Sequence, residues 1–73
     1  MLIGKRYKLT TPVRAIETVE EHLVSITIPA GGIVEVVALP NDQSDMMVDV
    51  VLEGRSIVMH AIDVNVHAME IND

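Results

Sequence analysis

The chain has 73 residues, of which 36 are apolar, 11 acidic and five Lys or Arg; it has no cysteine, and its net charge is −6 with the histidines neutral. At 8.0 kDa, surface scaling buries roughly 62% of the unfolded area, enough for one small core, and no disulfide or thiolate cluster supplements it. Positive mean hydropathy argues against disorder, and the apolar runs fall far short of the ~20 residues that a membrane helix requires.

Val and Ile supply 20 of the 36 apolar residues, and Tyr7 is the only aromatic. Branching at Cβ restricts χ1 and suits a pleated surface, so a mostly β domain spanning residues 1–73 is expected. The first strand is read at Arg6 to Leu9, ended by Thr10-Thr11-Pro12. Val13, Ile16, Val19 and Leu23 then recur at helical spacing behind Pro12. Four β-branched residues between Val13 and Val19 oppose a helix, which favours an irregular hairpin over residues 13–24.

Leu23 to Ile28 alternates polar Ser25 and Thr27 with Ile26 and Ile28, and stops at Pro29-Ala30-Gly31-Gly32, where glycine admits positive φ. Ile33 to Leu39 is an apolar strand, followed by a polar loop from Pro40 to Asp45. Met46 to Glu53 and Ser56 to Ala61 flank Gly54-Arg55 as the clearest hairpin. Ile62 to Asn65 allows one helical turn before a last strand, Val66 to Ile71. Short strands with frequent turns predict a five-stranded barrel, whose closure would leave no exposed edge.

The segments Ile26-Thr27-Ile28-Pro29-Ala30-Gly31, Met47-Val48-Asp49-Val50, Glu53-Gly54-Arg55 and Ala61-Ile62-Asp63-Val64 resemble the small SH3-like barrel proteins of bacteria, many of which have no assigned activity. The resemblance runs from about Tyr7 to His67 and is sharpest from Ile26 to Val64. It implies a long first loop, three central strands, a short 3₁₀ turn at Asp63-Val64 and a closing strand. Leu52 and His60 stand where similar proteins often carry aromatics. Tyr7 alone cannot line the aromatic groove of a polyproline-binding SH3 domain. An SH3-like barrel in any case hosts many unrelated roles.

His60, Asp63 and His67 are the only metal-ligand types clustered in a short stretch, but they match no familiar zinc spacing, so no metal and no cofactor is expected. Structural roles account for them: His60 half-buried in an aromatic's place, Asp63 capping the turn, His67 on the surface. Ser25, Ser44 and Ser56 have no nucleophile context, Gly31-Gly32 lacks the phosphate-loop pattern, and a small barrel has little room for the ~300 Å³ of a ligand cleft. A non-catalytic role without a small-molecule substrate is expected.

Lys5, Arg6, Lys8 and Arg14 put four cations and no acid into the first fourteen residues, which leaves one Arg against eleven acids, or −10, in the remainder. An acidic body repels phosphate backbones, so nucleic-acid association through the amino-terminal patch is the alternative and not the first reading. Val51 shares a strand face with Asp49 and Glu53. Together with Val34, Val36 or Val37, and Met46, it is expected to leave some apolar side chains outside the barrel. The sequence therefore reads as a cytoplasmic protein-binding or assembly module, its partner a protein and self-association included. Tyr7, Arg55, His60 and Asp63 are the candidate contact residues: an amphipathic ring, a turn guanidinium and a titratable pair.

Overall fold

A computed structural model describes residues 3–39 and 47–71. The strands are β1 (Arg6–Leu9), β2 (Val13–Val19), β3 (His22–Ile28), β4 (Ile33–Ala38), β5 (Met47–Leu52), β6 (Arg55–His60) and β7 (Ala68–Ile71), with one helix, α1 (Ala61–His67), between β6 and β7. All pairings are antiparallel, in a single sheet of order β3-β2-β6-β5-β4-β1-β7. The expected all-β class holds, but the five-stranded closed barrel does not. There are seven strands, and the end strands β3 and β7 are not paired with each other. The cause lies in the β2–β6 ladder, which has only two pairs, Ile16↔Val58 and Glu17↔Ile57. So short a junction lets the β2–β3 hairpin diverge from the rest of the sheet.

Period-two alternation sets the core. Tyr7 and Leu9, Val34 and Val36, Val48, Val50 and Leu52, and Ile57 and Met59 turn to one face of the curled sheet, where Val13, Ala15, Ile28 and the helix residue Val64 join them. Val34 and Val36 are thus core residues and not part of an outer apolar surface. Alternation from Val34 buries Val36 and leaves Val37 in solvent, and between Val36 and Ala38 the register shifts, where β4 carries one extra residue against β5. Val51 is half-buried; Met46 and the Pro40–Asp45 loop lie outside the described residues.

Residues 13–28 form a regular hairpin, with seven consecutive pairs from Val13↔Ile28 to Val19↔His22. Its two turn residues, Glu20 and Glu21, both have positive φ, 50° and 67°. Two left-handed residues match the twist of a tight hairpin, but glutamates hold that conformation at a steric cost that Asn-Gly would not carry. The β5–β6 turn is of the same kind, and there Gly54 takes the second position at φ 78°.

Beyond β6 the chain makes a seven-residue α-helix in place of a single 3₁₀ turn, and the last strand starts at Ala68. Val64 faces the core, whereas Ile62 and Val66, one turn apart, point outward. The Thr10 backbone N–H and its Oγ1 hydroxyl both donate to the His67 carbonyl, at 2.8 and 3.0 Å. That bond pair satisfies an acceptor the helix end leaves open and fixes α1 against the end of β1.

Candidate functional site

The structure does not bring the four residues expected at a contact surface together. Tyr7 is only 7% exposed, packed into the core between the outward-facing Arg6 and Lys8. Arg55 and His60 occupy opposite ends of β6, about 16 Å apart at strand rise. His60 is exposed and not half-buried; Asp63 and His67 are half-buried on α1. The α1 amino terminus has no side-chain cap, so Asp63 does not play the expected capping role. Among the described residues, no three His, Cys, Asp or Glu side chains converge as metal ligands.

Arg55 instead holds Glu17. Its Nε donates to Glu17 Oε2 at 2.7 Å and its Nη2 donates to Oε1, a two-pronged bond across 38 residues of sequence. Glu17 belongs to the inner face of β2 and pairs with Ile57, so its well-shielded side chain meets the guanidinium at the end of the core. The hydrogen bonds from Arg55, with a smaller contribution from its charge, hold the Glu17 carboxyl below the usual carboxylate range against a desolvation that acts upward. The same bonds raise Arg55 further. A carboxyl lowered in the folded state stabilises it above the unfolded-state value, and that stabilisation disappears as pH falls through the folded-state value. Glu17→Gln is therefore expected to lower the urea midpoint at neutral pH, and the difference from wild type should shrink as pH falls below the usual carboxylate range. A gap that persists at acid pH would mean that packing, not charge, makes the contribution.

Among the described residues, hollows open on the outer face of the sheet on either side of the Ile16–Val58 pair. The larger, about 360 Å³, is lined by Thr18, Asp49, Ser56 and Val58 beside Val37. The smaller, about 190 Å³, is lined by Arg14, Ala15, Ile16, Ser25, Met47 and His60. It opens where the β2–β6 ladder ends: two more residues of the same register would set Arg14 opposite His60, but there the strands part. Strand order also divides the basic amino-terminal residues. Lys5, Arg6 and Lys8 lie on or next to β1, with Glu35 directly across from Arg6, while Arg14 is on β2 beyond β4, β5 and β6.

The third feature is the β3 edge, which pairs with β2 alone among the described residues. Its first four residues are exposed, Leu23 at 76%. From Leu23 to Ile28 it has no charge, proline or glycine. The opposite edge, β7, is shorter, carries Glu70 and packs against α1. No family of proteins, curated protein or solved structure matches the chain.

Proposed function

We propose that the protein is a non-catalytic assembly module that adds a strand at the β3 edge, the added strand being β3 of a second copy. The observation that carries this reading is the bare edge itself. Natural sheets guard such edges with charges, prolines, bulges or covering segments, and between Leu23 and Ile28 β3 has none of the sequence devices. An unpaired strand edge offers its backbone N–H and C=O groups to an incoming strand.

The edge is also complementary to itself. Antiparallel pairing centred on Ser25 sets Leu23 across from Thr27 and Val24 across from Ile26, which joins the inner apolar faces and opposes no like charges. In that register the acidic turn Glu20-Glu21 of one copy extends past Ile28 of the other, towards the side where Arg14 stands beside Thr27. The acidic composition, and the separation of Arg14 from the other basic residues, give the nucleic-acid alternative no comparable surface.

Leu23→Lys tests this. Lys at a position so exposed costs the fold little and puts a charge on the bare edge, the device by which natural sheets block strand addition. Sedimentation at several concentrations should show a wild-type dimer that dissociates on dilution, and a monomeric variant that melts as cooperatively as wild type. Wild type that stays monomeric at high micromolar concentration overturns the reading, as does a Leu23→Lys protein that dimerises equally well.

A further inference from the structure

We propose that the smaller hollow on the outer face, where β2 and β6 part, is a binding site for a carboxylate on a short aliphatic chain. Its construction is graded. Half-buried Ile16 and Met47 form the floor, the β2 backbone passes at Ala15, whose side chain turns to the core, and Arg14, Ser25 and His60 are exposed around the mouth. An apolar floor under a polar rim suits a ligand with an alkyl body and one charged end.

The rim is made of donors. Arg14 presents a guanidinium fork that fits a carboxylate, Ser25 a hydroxyl, and His60 an imidazole that donates N–H whether neutral or protonated. Arg14 is in no ion pair among the described residues, unlike Arg55. Asp49, two residues on from Met47, lines the other hollow and pairs with Val58. So in a chain with a charge of −6, this is a concavity whose polar lining, among the described residues, carries no acid.

A volume of about 190 Å³ is below that of drug-sized ligand sites and admits a small acid or the last residue of a peptide. Ser25 belongs to both surfaces, but Arg14, Ile16, Met47 and His60 lie on other strands, so the site does not require strand addition at β3.

The test is a titration of the full chain with sodium butyrate, followed by amide chemical shifts, with sodium chloride at equal ionic strength as control. Saturable shifts at Arg14, Ala15, Ser25 and His60 are expected, with a dissociation constant in the millimolar range for so small a ligand. The midpoint should be the same at two protein concentrations, which separates it from self-association. Arg14→Gln should weaken binding at least about tenfold, the effect of losing a charge-assisted hydrogen bond, and Lys8→Gln should leave it unchanged. A short aliphatic peptide with a free carboxyl terminus, compared with its amide, identifies the source of the carboxylate. A peptide acid that outbinds butyrate points to a chain end, and equal affinity points to a free acid. No saturable shift with either, the same shifts with chloride, or an Arg14→Gln protein that binds as wild type overturns the proposal.

Discussion

Ile57→Ala is expected to lower stability by about 2–5 kcal/mol, the range for truncating a large aliphatic side chain in a packed core. Ile57 is 1% exposed and sits at the crossing of two ladders, across from Val50 on β5 and from Glu17 on β2. Its removal opens a void under the two-pair junction that holds the β2–β3 hairpin to the sheet. For 73 residues the total stability is of the order of 4–11 kcal/mol, so a large part of it would be lost. The melting temperature should fall by about 10–30 °C. Ile57→Val, which leaves most of the volume filled, should cost about 0.5–1.5 kcal/mol. Both should be measured by urea unfolding in the Leu23→Lys background, where dimer formation adds nothing to apparent stability. A loss below about 1 kcal/mol for Ile57→Ala would place this residue outside the core.

How far sequence reaches is clear from particular elements. β1 is legible to the residue, because Thr10-Thr11-Pro12 ends it and Arg6, Tyr7, Lys8 and Leu9 alternate strictly. That same alternation already signalled Tyr7 as a core residue alongside Leu9, and its reading as a surface ring gave its hydroxyl too much weight. β2 and β3 were harder to read for two reasons. Val13, Ile16, Val19 and Leu23 fall at helical spacing by coincidence, and Glu20-Glu21 lacks the turn residues that announce a tight hairpin. The extra residue in β4 could not be located from β4 alone, because a bulge exists only relative to the partner strand, and Val36 and Val37 look equivalent in a row.

The candidate site was the least legible part. In the sequence Arg14 is one member of a basic cluster, Ser25 a polar strand position, and His60 a contact candidate grouped with Tyr7, Arg55 and Asp63, not with Arg14 or Ser25. What brings them to one hollow is the point at which β2 leaves β6, a long-range register that no local pattern encodes. The Arg55–Glu17 pair is of the same kind, a contact across 38 residues. Barrel closure follows, at the level of sequence, from a need to protect apolar edges. The chain does not meet that need, and the strand left open, β3, is the basis of the function proposed here.

Gly32→Ala is expected to destabilise by about 1–3 kcal/mol, the usual cost of overfilling a packed site. Gly31 and Gly32 look alike in sequence but are required for different reasons. Gly31 adopts φ +90°, and a Cβ there would meet nothing within 4 Å, so its requirement is one of backbone conformation. At Gly32 the requirement is space: a Cβ would lie 2.7 Å from Ile28 Cγ2 and 3.1 Å from the Pro29 carbonyl oxygen. Neither neighbour yields readily. Ile28 is 1% exposed within the core, and Pro29 O accepts the Gly32 N–H at 3.1 Å in the turn that leads from β3 to β4. The Gly32 carbonyl in turn accepts the Leu9 N–H, and Gly31 N–H donates to the Leu9 carbonyl, each at 2.8 Å, so displacement of the turn strains the end of β1 as well. Ile28→Leu supplies the discriminating control, because it keeps the volume but removes the branch methyl at the point of collision. If that methyl is the obstacle, Gly32→Ala should cost less in the Ile28→Leu protein than in wild type, with a coupling of about 0.5 kcal/mol or more in a double-mutant cycle of urea unfolding. Strictly additive losses would show that the collision with Ile28 is not what excludes a side chain at residue 32.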